Sequence, residues 1–318
     1  MVHLNQLLGI QYPIIQGGMA NIATGRFAAA VSNAGALGLI GAGGMSAEQF
    51  RQEIRLCRSL TDKPFGVNIM LMHPQAKEMA QIAAEEKVAV VTTGAGNPGA
   101  FVKLWKEAGC KVFPVVPAVV LARRLAPLGI DGVIAEGTES GGHVGEMTTM
   151  ALVPQVVDAM KEYGLPVIAA GGIADGRQLA AAFALGACGA QVGTCLLASE
   201  ECPIHPNYKQ AILKAKDTGT TVTGRMGGTP VRILKNKMAR EYLSREKAGA
   251  GKEELEQFTL GSLRRAVFEG DTDTGSLMAG QVAGMVHEIR PLAEIFRDMT
   301  QGCRDTLAGI AGDWNEEK

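Results

Sequence analysis

The chain has 318 residues, 47% of them hydrophobic and 20% charged, with a formal net charge of −1. That length can bury one large core plus an insertion, and the balance is ordinary for a globular protein with no expectation of a nucleic-acid partner. No apolar run approaches the roughly 18 residues of a membrane span, and no basic segment followed by an apolar core marks a secretory signal at the N-terminus, so a cytoplasmic protein is expected.

Eight short apolar runs recur along the chain, each ending in a small or polar residue and each followed by a helix-like segment. They are Pro13–Gln16, Leu37–Ile40, Phe65–Met70, Val88–Thr92, Lys111–Val116, Gly132–Ala135, Val167–Ala170 and Ala190–Val192. Their apolarity is continuous rather than alternating, which suits parallel strands covered on both faces. Eight βα units predict a closed (β/α)8 TIM barrel rather than an open doubly wound sheet. The lack of a GxGxxG after the first run counts against a dinucleotide-binding Rossmann domain. Helix starts are signalled by Ser46 before AEQFRQEIRLCRSL, by Asn97-Pro98 before GAFVKLWKEAG and by Asp175, with Gly186 as the stop of that last helix.

After the eighth run the pattern changes. Residues 197–275 lack strand-like runs and read as a helical insertion that lids the barrel mouth, leaving 1–196 plus 276–318 as the barrel. Within it, Arg232 to Lys247 reads as an amphipathic helix with Val231, Leu234, Met238 and Tyr242 on one face, followed by a Gly-Ala linker from Ala248 to Lys252. The segment from Ser276 reads as a Gly-rich helix that returns Ala279, Gly280 and Gln281 to the ligand, and Pro291 to Ile310 as a final helix. Charge is uneven. Between Pro203 and Lys247 stand ten Lys or Arg against Asp217, Glu241 and Glu246, a net of +7 that leaves −8 for the remainder. Such a block is either a solvated helix face or a docking surface for an acidic partner.

The most telling stretch is VIAAGGIADGRQLAAAFALGACGAQVGT, residues 167–194. It reads as strand, Gly-Gly turn, helix, strand and Gly-Thr turn. Bare amides at two neighbouring strand ends make a seat for a phosphate, which in barrels of this type lies after strands seven and eight. The other residues placed at the mouth are Gly17, Gly18, Met19, Asn68, Thr93, Gly94, Glu136, Gly141, Gly142 and His143. One His and one carboxylate do not make a metal site. No GxSxG elbow is present and no Lys ends a strand, which removes serine-nucleophile and Schiff-base chemistry. The six cysteines show neither CxxC nor metal-ligand spacing, and Cys195, beside the phosphate turn, reads as packed. With so few acids and bases, the hard chemistry is expected from a cofactor. His143, in a glycine-flanked loop, is the candidate acid, base or hydrogen-bond donor. Glu136 suits either a ligand contact or a structural role. Asn68, donor and acceptor at once, suits the edge of a planar heterocycle.

Together QGGMA, GVNIML, TTGAGNP, AEGTESGGHVG, AAGGIADG and QVGT resemble the nitronate monooxygenase superfamily. TPVRILKN and GDTDTGSLMAGQVAG are more similar to its reductase branch, enoyl-acyl-carrier-protein reductase II. The resemblance covers almost the whole chain. It implies FMN held non-covalently, with phosphate on Gly171, Gly172, Gly193 and Thr194. The ring would lie against Gly18, Met19, Asn68, Thr93 and Gln281, with Glu136 and Gly141 nearby, and Gly17, Gly142, Ala170 and Met278 would complete the cofactor-binding set. It further implies NADH or NADPH as co-substrate, a trans-2-enoyl thioester on acyl carrier protein as substrate, and a homodimer. Members of this branch respond to a monovalent cation. His143 matches the family's active-site histidine, near the thioester carbonyl in the reductase and acting as a base in the oxygenase branch. The basic segment gives the reductase reading a physical use, because acyl carrier protein is acidic. A nitronate monooxygenase and a non-catalytic flavin-binding barrel are the rival readings.

Overall fold

All eight apolar runs become parallel strands of one sheet in the computed structural model, which describes residues 3–316. In chain order they are β1 (Ile14–Gln16), β2 (Gly38–Gly41), β3 (Phe65–Met70), β4 (Val90–Gly94), β5 (Lys111–Val116), β6 (Val133–Glu136), β8 (Val167–Ala170) and β9 (Ala190–Val192), with β7 (Gly142–His143) lying outside the sheet between β6 and β8. The order is β1-β9-β8-β6-β5-β4-β3-β2, and a parallel bridge from Ile15 to Leu37 joins its ends. The sheet is therefore a closed (β/α)8 barrel.

Continuous apolarity has the expected cause. Ile15, Leu39, Val90, Phe113, Ile134 and Ile168 point inward from six strands and form one buried cluster. Their neighbours, such as Ile14, Ile40, Val91, Val112 and Val133, pack outward into the helical layer. Leu4 and Leu8 of the short helix Leu4–Leu8 join the inner cluster, and Leu4 N–H donates to Cys188 O at 3.1 Å. Cys188 precedes β9, so this helix floors the N-terminal end and the C-terminal end is left as the mouth. The local helix signals act as read. Ser46 and Asp175 each form a reciprocal capping box, with Gln49 and Gln178, and Asn97 Oδ1 accepts from Gly99 N–H at 2.9 Å. Each such cap contributes about 1 kcal/mol to its helix.

The 197–275 segment departs from the expected all-helical lid. It contains an antiparallel hairpin, β10 (Thr220–Thr223) and β11 (Val231–Leu234), and β11 also pairs with β7. The helix expected from Arg232 starts later, at Lys237, because the Asn236 side chain caps it by accepting from Ala239 N–H at 2.8 Å. Val231 and Ile233 before Asn236 are β-branched, and β11 pairs with β7 far along the chain, a choice that helical spacing alone does not reveal. The segment after Ser276 is likewise not a helix at first. Met278 bridges Ile233 and Leu277 O accepts from Leu234 N–H at 2.8 Å, so the chain runs extended before a 3-10 turn at Gln281–Met285. It still delivers Ala279 to Gln281 to the mouth. Leu292–Glu316 is the closing helix.

Candidate active site

The mouth is built by backbone approach more than by large side chains. Gly17 N–H donates to Val192 O at 2.8 Å, extending the β1–β9 ladder. At Gly18 a Cβ would overlap the Asn68 side chain, so only glycine lets this turn rest on β3. Asn68 Nδ2 donates to Thr92 Oγ1 at 2.9 Å, which fixes the amide. The hydroxyl of Thr93 and Oε1 of Gln191 are buried with no hydrogen-bond partner. A Cβ on Gly193 would meet only Met19 Sδ, at 3.7 Å, and one on Gly94 would meet nothing. The strand ends thus leave a small-residue cradle with polar atoms beneath it.

The expected phosphate seat is formed by Gly171 and Gly172 at φ 91° and 72°, a left-handed conformation that favours glycine. The same turn allows close approach, because a Cβ on Gly171 would stand 2.7 Å from Gly137 O. The N–H groups of Gly172 and Gly193 donate to no acceptor among the described residues, whereas Gly171 continues the register of β8 toward β9. Thr194 follows as the first residue of a short helix, and its hydroxyl accepts from Gly280 N–H at 2.9 Å. Bare amides in this arrangement fit an anion such as a phosphate.

The opposite rim is the loop from β6 to β7. Glu136 ends β6 in register with Ala170 of β8. Burial pushes its carboxyl up to about 7. The nearby Ser140 hydroxyl opposes that shift only in part, since it lies short of an ordinary hydrogen bond to any group. Gly141 packs on the backbone of Ala279 and Gly280, where a Cβ would be 2.7–2.8 Å from their atoms. Gly142 faces Met278 Sδ. Gln281 N–H donates to Glu139 O at 2.9 Å, and Tyr208 Oη–H donates to Met278 O at 2.8 Å. His143 does not lie in a free loop as expected. It is the second residue of β7, paired with Val231 of the hairpin. Its side chain is open to solvent but recessed among protein walls, and that bulk lowers the imidazole below its usual range.

Contacts therefore pass from one expected residue to the next around the rim: Gly17 to β9, Gly18 to Asn68, Met19 to Gly193, Thr194 to Gly280, Gly141 to Ala279, Gly142 to Met278. Sequence reasoning missed three further residues. The Glu139 carboxylate accepts from Thr149 N–H at 3.0 Å, at the start of the helix Thr149–Lys161. Thr149 Oγ1 stands 3.0 Å from that carboxylate and 2.9 Å from Gly171 O, sharing one proton and joining the loop to the phosphate seat. The third is Arg232, which was expected on the docking surface but is only 6% exposed. Lys209 is also buried, its ammonium donating to Ser199 O at 2.6 Å, and Arg245 pairs with Glu241 at 2.8 Å. The remaining seven cations of the block, Lys214, Lys216, Arg225, Lys235, Lys237, Arg240 and Lys247, are exposed and make no ion pair among the described residues.

Among the described residues no three His, Cys, Asp or Glu side chains gather as a metal site. The Cys195 thiol is buried and pushed up to about 12, in keeping with a packed residue. A cleft of about 840 Å³ lies on the barrel flank, between the helices that carry Arg51, Gln81 and Phe101, and includes none of the mouth residues. Among the described residues no helix is long and apolar enough to cross a membrane.

The family match and the solved neighbours indicate a barrel oxidoreductase. The chain belongs to the nitronate monooxygenase family, whose model matches residues 2–302. It is similar to the solved structure of FabK from Thermotoga maritima, with 48% identity, a TM-score of 0.94 and coverage of 97% of this chain and 98% of that one. It is also similar to the nitroalkane oxidase from Streptomyces ansochromogenes, at 28% identity, a TM-score of 0.85 and coverage of 96% and 99%. Curated relatives include a probable nitronate monooxygenase of Staphylococcus saprophyticus, 33% identical over 91% of this chain and 94% of its own. Another is the (3aS,4S,5R,7aS)-5-hydroxy-7a-methyl-1-oxo-octahydro-1H-indene-4-carboxyl-CoA dehydrogenase of Mycobacterium tuberculosis, 32% identical over 93% and 94%.

Proposed function

We propose that the chain is an FMN-dependent enoyl-acyl-carrier-protein reductase of type II, which reduces a trans-2-enoyl thioester on acyl carrier protein with NADH or NADPH. The observation that carries this reading is the 48% identity to FabK over nearly the full length of both chains, against 28% to the nitroalkane oxidase. The exposed cations of the 197–275 segment favour the same choice, because an acidic carrier needs such a surface and a small nitroalkane does not.

Bound FMN would supply the two-electron chemistry that no side chain at the mouth offers. The amides of Gly171, Gly172, Gly193 and Thr194 would hold its phosphate. Gly17, Gly18, Met19, Asn68, Thr93, Met278 and Gln281 would border its ring, with Glu136, Gly141, Gly142 and Ala170 beside them. His143, neutral near pH 7 because its imidazole is held below the usual range, would donate an N–H to the thioester carbonyl. A hydrogen bond there stabilises the enolate-like charge that develops during reduction. The β10–β11 hairpin would shield that carbonyl from water. A cytoplasmic homodimer that responds to a monovalent cation is the setting this reading implies.

Anaerobic stopped-flow absorbance tests the reading. NADH or NADPH should bleach the bound flavin, and crotonyl-acyl carrier protein should restore its colour within catalytic time. Restoration by O2 with turnover of a nitronate, and none by the enoyl thioester, would replace the reductase with the monooxygenase for which His143 would serve as base.

A further inference from the structure

The loop that carries His143 is held at both ends by one strand. At its far end, Gly142 and His143 pair with Arg232 and Val231 of β11, and Val144 N–H donates to Pro230 O at 3.1 Å. A strand of two residues is too short to keep its register unaided. At the near end the tie is a side chain. Arg232 Nε–H donates to Thr138 O at 3.1 Å, and Nη1–H donates to Thr220 Oγ1 of β10 at 3.2 Å. The guanidinium makes no ion pair among the described residues. The charged groups acting on it are Arg225 of the hairpin tip, which opposes its charge, and Glu139, which favours it. Glu139 is itself committed to Thr149. A buried cation without a carboxylate at hand is costly, so its neutral acceptors must matter. The planar fork of arginine reaches two acceptors on different elements, which the single ammonium of lysine does not do with the same geometry.

We propose that Arg232 is a positioning residue: its guanidinium braces the 138–143 loop against the β10–β11 hairpin and so fixes where the His143 imidazole stands. The hairpin then forms part of the active site and is more than a cover over it. The kinetic arm of the test below rests on the reading that His143 contacts substrate, and the exchange arm does not.

R232K and R232Q should be compared with wild type, alone and combined with H143A, as flavin-loaded enzymes. Hydrogen exchange of peptides spanning residues 141–147 should accelerate about tenfold in both single variants, with the barrel peptides unchanged. The kcat for crotonyl thioester should fall about tenfold to a hundredfold, and should change by no more than about twofold when His143 is already alanine. Unchanged exchange at 141–147 would overturn the proposal. So would a loss of kcat that persists undiminished in H143A, or faster exchange throughout the barrel, because either marks a merely structural role. Faster local exchange with H143A itself fully active would uphold the brace and defeat the substrate role of His143.

Discussion

Glu136 holds its proton longer than any ordinary carboxyl, and the sign of the consequence follows from that. Burial raises it from 4.5 to about 7. Between those values the unfolded chain has released a proton that the folded chain still binds. Stability therefore falls as pH rises through this window and levels off above about 7. In E136Q that loss is absent. Urea unfolding of flavin-free protein should show the variant gaining on wild type by on the order of 1–3 kcal/mol between pH 4.5 and 7, and a constant difference would contradict the assignment. His143 is displaced in the other sense, toward the neutral form. If its neutral N–H serves the thioester carbonyl, kcat is level above neutrality and declines on the acid side as the ring is protonated. A rate that climbs toward acid would assign the work to imidazolium instead. H143A should lower enoyl reduction by about 100-fold or more while flavin stays bound. The sequence brought out His143 and Glu136 because few titratable groups stand at strand ends. It did not bring out Glu139 or Thr149, whose partnership spans ten positions and follows no local rule.

Elements differ in how openly they are written. The eight barrel strands were legible because burial on both faces demands unbroken apolar runs, as in Val90–Gly94 and Val167–Ala170. The N-caps at Ser46 and Asp175 were legible because a capping side chain and the amide it accepts from lie two or three residues apart. The β10–β11 hairpin was not, because β11 pairs with β7, some ninety positions earlier, and its TTVT and VRIL segments carry polar residues where a buried strand would be apolar. A basic residue in a sequence also carries no direction. Lys209 and Arg232 turn inward, whereas Lys235 and Lys237 face solvent. The docking surface must therefore be tested with the exposed pair. K235E combined with K237E should raise the KM for crotonyl-acyl carrier protein about threefold to tenfold, more steeply at low salt. It should leave the uncharged crotonyl-N-acetylcysteamine thioester within about twofold. Equal effects on both substrates would remove the electrostatic case for an acidic carrier.

At the scale of the whole molecule, barrel closure converts distant sequence into one rim. The floor helix and inner cluster seal the N-terminal end, so every strand presents its last residues to the same space. That geometry gathers the turn after β1, the amides after β8 and β9, the β6–β7 loop and the 278–281 segment, which lie far apart in the sequence. Chemistry at the mouth then depends on what those amides hold. The most direct measurement is the flavin content of the purified protein, read by absorbance and by release on denaturation, for wild type and for G171A, where a Cβ would press on Gly137 O. The purified protein should be yellow and carry about one FMN per chain, and G171A should fold with much weakened retention. A colourless wild-type protein that takes up no FMN when it is supplied in excess would contradict this.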